Sequence, residues 1–114
     1  MTKRTKALDI SKKVKDRVWE RDEHCCVICG SPYAMPNAHY IARSQSGLGI
    51  EQNIVTLCMD CHTALDHTPY RKHLKEVIRG YLSGIYEGWN EEKLRYRKWG
   101  KNDESSSFNG SSDG

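Results

Sequence analysis

Apolar and charged positions alternate along the chain with periods that mark its elements. Between residues 9 and 22, Ile10, Val14 and Val18 recur every fourth residue with Trp19 beside them, and charged side chains fill the rest apart from Ser11. That spacing predicts an amphipathic helix with Asp9 as its N-cap. Residues 37–44 and 54–57 are short runs with β-branched or aromatic content, separated by the turn-like Ser46-Gly47-Leu48-Gly49, and predict two strands. A helix is expected from Asp60. It cannot pass Thr68-Pro69, where Thr as N-cap and Pro at the first helical position start a new one. Tyr70, Leu74, Val77, Ile78, Tyr81 and Leu82 then line one face of a long helix. A last helix is expected near Asn90, with Trp89 and Leu94 spaced as a hydrophobic staple. Two strands followed by a helix form a ββα unit, so the fold expected is a small α+β domain flanked by N- and C-terminal helices. Residues 1–8 read as a flexible basic arm and 9–100 as a single domain. Residues 101–114, rich in Ser, Gly, Asn and Asp, read as a disordered tail.

Composition sharpens this picture. Hydrophobic residues are 37% of 114, with a single Phe, so the core must be thin and an added staple is expected. No apolar run approaches the ~18 residues of a membrane span, and no membrane partner is expected. The first ten residues lack the apolar stretch of a secretory signal, which suggests a cytoplasmic protein. In a reducing compartment, five cysteines read as metal ligands or reactive thiols before they read as disulfides. The net charge of +3 is uneven: residues 1–21 carry eight basic and three acidic side chains. Lys12, Lys13, Lys15, Arg17 and Arg21, with Arg71, Lys72, Lys75 and Arg79 on the long helix, can flank a polyanion through phosphates. No helix looks equipped to read bases, so binding is expected to show little sequence preference.

The chemistry sits in two constellations. Cys26-Val-Ile-Cys29-Gly30 and Cys58-Met-Asp-Cys61 are paired cysteines, each on a tight turn. Four thiolates converging on one point fill a closed tetrahedral Zn²⁺ shell with no position for substrate. Such a site contributes folding energy directly. An iron–sulfur site and a thiol redox pair are the alternatives. Cys25 is left over; it can replace Cys26 only with a three-residue spacing, and reads as a free thiol. The second constellation is His39, Asn53 and His62. The ββα unit brings these three near one another beside a basic surface. A His base, an orienting amide and a metal-binding His suit metal-assisted phosphodiester hydrolysis.

From about residue 17 to residue 67 the sequence resembles the HNH endonuclease family. The resemblance rests on residues 17–22 (Arg-Val-Trp-Glu-Arg-Asp), Cys26-x-x-Cys29-Gly30, His39-x-Ile41-x-Arg43-Ser44, Asn53 and Leu57-Cys58-x-x-Cys61-His62. It implies a ββα-metal core, a DNA substrate and a catalytic divalent ion (Mg²⁺, Mn²⁺ or Ni²⁺) besides the structural Zn²⁺. His39 matches the family's general base. Asn53 matches the middle Asn that holds the hairpin loop and, in some members, reaches the metal. His62 matches the last His, a ligand of the catalytic ion. Arg43, with Arg17 and Arg21, would contact DNA. Small size and two zinc knuckles look like freestanding phage or prophage proteins, which implies a bacterial host and a possible DNA-packaging partner. Most members carry Asp or His before the base, as a second metal ligand; this chain has Ala38. Asp66, His67 and Asn37 are the candidates to replace it. In the alternative register His39 becomes the metal ligand and Tyr40 takes the base position.

Overall fold

Two short strands and the helix that follows them make the frame on which everything else is hung. The computed structural model describes residues 3–67 and 69–97. Strands β1 (Ala34–His39) and β2 (Ile54–Cys58) pair antiparallel, with Ala34 opposite Cys58 and His39 opposite Ile54. The register breaks between Met35 and Ala38, around Pro36, which has no N–H to give to the ladder. All five residues of β2 are buried, as expected of a strand covered on both faces. Helix α3 (Met59–His67) follows β2 without a break, which completes the ββα unit.

Three further helices frame this unit: α1 (Lys3–Leu8), α2 (Lys12–Arg21) and α4 (Arg71–Ile85). α2 lies against both strands and buries Val18. Ile78 and Leu82 of α4 reach one core with Ala38, Tyr40, Ile41, Val55, Leu57 and Leu65, and Leu74 and Tyr81 pack against it. Tyr70 and Val77, at the margins of the expected apolar face, stay exposed. Among the described residues no helix is long and apolar enough to cross a membrane.

Several elements depart from the sequence reading, each for a local reason. The helix expected over 9–22 begins later, at Lys12. Ser11 caps α2, its Oγ accepting from the Val14 N–H at 3.2 Å, while Asp9 pairs with Arg43. The flexible arm expected over 1–8 is helical in its described part, because Leu8 is an anchor only 1% exposed. The first strand runs over 34–39 and not 37–44, since at Tyr40 and Ile41 the chain turns to bond with Asn53. The expected last helix is a single 3-10 turn, Glu91–Leu94, capped by Asn90. It stops there because the next segment bonds to the loop after β1: Leu94 O accepts from Leu48 N–H, and Tyr96 N–H donates to Ser46 O, both at 2.7 Å. Trp89 and Leu94 do meet the core. The Thr68 cap, Trp99 and the 101–114 tail lie outside the described residues; Tyr70 precedes α4 without a side-chain cap.

Arg21 is the largest correction to the expected nucleic-acid face. Its guanidinium pairs twice with the buried Asp22, at 2.8 and 3.1 Å, and donates to the carbonyls of Glu51 and Ile54. It also lies against the rings of Tyr81 and Tyr86. Asp22 accepts from Tyr81 Oη at 2.6 Å and from the Thr56 N–H at 2.8 Å. Burial works against the Arg21 charge, but Asp22 and Tyr86 outweigh it and raise the pKa. Arg21 therefore ties α2 to β2 and α4 and has no hand free for phosphate.

Candidate active site

The four cysteines come from the turn after α2 and from the junction of β2 with α3. The sulfurs of Cys26, Cys29, Cys58 and Cys61 all lie within 4.8 Å of one another, and Cys29 Sγ is 3.5 Å from Cys58 Sγ. Zinc–sulfur bonds of about 2.3 Å put tetrahedral sulfurs about 3.8 Å apart, so the cluster fits such an ion. Each turn is closed by the backbone: Gly30 N–H donates to Cys26 O, and Cys61 N–H reaches Cys58 Sγ. Burial opposes the Cys26 thiolate, yet the N–H groups of Cys29, Cys58 and Ile28 bring its pKa down to about 7. Burial and neighbouring thiols push Cys61 up. One thiol favours ionisation and another resists it, and a shared cation removes that conflict. Cys25 is outside the cluster; its thiol reaches Asp22 O.

The loop between the strands, residues 40–53, is clamped from every side. Asn53 is fully buried. Its Oδ1 accepts from the Ile41 N–H at 2.8 Å, and its Nδ2 donates to Ile41 O and Leu48 O. Both Nδ2 hydrogens and one Oδ1 lone pair go into the loop, which Asn53 thereby holds. Gly47 and Gly49 are set by close approach. A Cβ on Gly47 would sit 1.7 Å from Ile41 O, and one on Gly49 would sit 2.0 Å from Asp9 O.

His39 ends β1. Ala38 before it is fully buried, so strand alternation turns His39 to the opposite face. Tyr40 after it is buried, and its hydroxyl donates to Glu91 at 2.9 Å. Burial and Glu91 raise the Tyr40 pKa. Tyr40 is thus removed as a base. The His39 Nε2 lies 2.9 Å from Leu8 O. A carbonyl only accepts, so Nε2 carries the proton and Nδ1 keeps its lone pair. Burial lowers the His39 pKa; the Leu8 bond acts against this, while Arg43 and, more weakly, His62 add to the lowering.

His62 lies in the first turns of α3. Its Nδ1 is 3.2 Å from Asp66 Oδ2, which leaves Nε2 for a ligand and makes Asp66 the group that orients the ring. Asn37 and His62 line one groove of about 650 Å³ with Trp19, Leu57 and Met59. His67 is placed at the end of α3 by its backbone alone. Among the described residues the four cysteines are the one group of three or more close His, Cys, Asp or Glu donors, so a divalent cation at His62 would keep water in most of its shell. Arg17 pairs with Glu51 at 2.9 Å and Arg43 with Asp9, both at exposed positions. His24 pairs with Glu20 and stacks on Trp19.

The HNH endonuclease family model matches residues 26–68. That segment is similar to an HNH module. No curated protein matches the chain. The module spans both cysteine pairs, β1, the clamped loop, β2 and α3. The match supports a nuclease of the HNH family. On this frame His39 is near enough to His62 and Arg43 to feel their charge, Asn53 bonds to the loop next to His39, and Arg21 is turned inward. What sequence reasoning missed lies outside the module: Leu8, whose carbonyl holds His39, and the Arg21–Asp22 hub. A helical spacing in residues 3–8 is too short to signal itself, and a main-chain carbonyl leaves no trace in a sequence.

Proposed function

We propose that this protein is a metal-dependent DNA endonuclease that cuts one strand at a time with little sequence preference. The observation that carries the reading is His39, turned opposite the buried Ala38 with its Nε2 proton committed to Leu8 O. The ring is left neutral with a bare Nδ1, as a general base requires. Nδ1 takes the proton of the attacking water as its oxygen bonds to phosphorus and the bond to the 3′ oxygen breaks. His62 Nε2 holds the catalytic ion, with Asp66 steadying the ring. A bound divalent cation supplies polarisation of the scissile phosphate and stabilisation of the leaving oxygen. Arg43 and Arg17 contact flanking phosphates, exchanging their present carboxylate partners for the strand. The four cysteines hold a structural Zn²⁺. We place the protein in the bacterial cytoplasm as a phage or prophage product, on the resemblance alone.

The buried Ala38 favours one other reading, a DNA-binding or packaging accessory with a decayed site. Supercoiled plasmid separates the two. With Mg²⁺, Mn²⁺ or Ni²⁺, wild type should give open-circle DNA, and His39→Ala and His62→Ala should not. No conversion by wild type in any ion, with binding retained, would leave only the accessory.

A further inference from the structure

We propose that α1 is part of the active site: the segment from Lys3 to Asp9 positions both the base and the phosphate-contacting arginine. The inference rests on the nuclease reading for its consequence, not for its geometry. Three contacts carry it. Leu8 O accepts from His39 Nε2 at 2.9 Å. The Asp9 carboxylate pairs with Arg43. Ala7 O accepts from the Gly49 N–H at 3.0 Å, and the approach is so close that no side chain fits at Gly49.

These contacts act together. The last turn of α1 ends with carbonyls that have no partner within the helix, and the site uses two of them. The Leu8 side chain, 1% exposed, is the anchor that fixes where they point. The Leu8 carbonyl chooses the His39 tautomer. Asp9 holds Arg43 beside the same ring until a phosphate competes for it. None of these groups belongs to the ββα unit, so that unit alone supplies the base without the group that orients it. Leu8 and Asp9 are positioning residues; neither has to touch substrate.

The test is a nitrogen-15 NMR measurement of the His39 tautomer in three zinc-loaded proteins: the full chain, a chain starting at Asp9, and the full chain with Gly49→Ala. The last wedges α1 off the loop with every residue of α1 still present. The full chain should show the Nε2–H form with a bare Nδ1. Both altered proteins should show averaged tautomers, and their kcat should fall on the order of 10²-fold, with KM for DNA less affected and one zinc per chain retained. An Nδ1–H form in the full chain would overturn the proposal. So would an unchanged tautomer and kcat in the Gly49→Ala protein, whether or not the shortened chain folds. If the full chain shows the expected tautomer and cuts no DNA, the nuclease reading fails and the positioning contact stands.

Discussion

The two histidines of the site are held by different kinds of force. His62 sits on a helix that begins at a cysteine knuckle, and one partly exposed carboxylate, Asp66, steadies it. Its wall is local in sequence: Cys58, Cys61, His62 and Asp66 lie within nine residues. His39 is held by the distant Leu8 carbonyl and by a loop gathered around a buried amide. That loop is itself held by residues 7–9 and 94–96. The His62 side is built by spacing along one short segment, the His39 side by tertiary hydrogen bonds. The first should respond to chelation and the second to small changes in distant backbone.

The largest effect tests the coordinated wall. Structural zinc sites carry apparent binding free energies of about 10–16 kcal/mol at neutral pH, more than a small domain's whole stability. Stripping the metal should unfold the chain, read by circular dichroism; a chelated protein with an unchanged melt would refute the structural role. Next comes the hub behind both walls. Asp22→Ala leaves Arg21 buried and unpaired, and should cost about 3–5 kcal/mol in denaturant unfolding.

Asn53→Ala addresses the base side alone. It leaves the Ile41 N–H and the Leu48 carbonyl without partners, at roughly 1–3 kcal/mol per buried group. It should lower stability and abolish cutting with zinc content unchanged. Asp66→Asn sharpens the contrast from the other side: stability should move by no more than about 0.5 kcal/mol, while affinity for the catalytic metal falls about 10–100-fold, measurable by metal titration. The smallest effect is in the pH profile. The His39 pKa is lowered in the folded protein, so the base is already neutral at pH 7. The acid limb of kcat/KM should therefore fall below about pH 6.5, the ordinary imidazole value; a limb above it would contradict the buried ring.

How much was legible depended on range. The cysteine pairs, the β2 run at 54–58 and the α4 face at Leu74, Ile78 and Leu82 depend on spacing within a few residues, and spacing is what a sequence displays. Ser11 displaced Asp9 as cap because Asp9 had a better partner thirty-four residues away, and local propensity cannot weigh a distant arginine. Arg21 looked like a free cation on a basic helix, since the sequence does not reveal that Asp22, Tyr81 and Tyr86 converge on it.

The sequence by itself determined the cluster of four cysteines and the ββα order, because covalent spacing brings those groups within reach of one another. Only the tertiary structure decided which nitrogen of His39 is free, that Tyr40 faces the core, and that the N-terminal segment belongs to the site. Those facts rest on hydrogen bonds between main-chain groups. Every residue but proline carries the same N–H and C=O, so a sequence cannot mark which pair will meet.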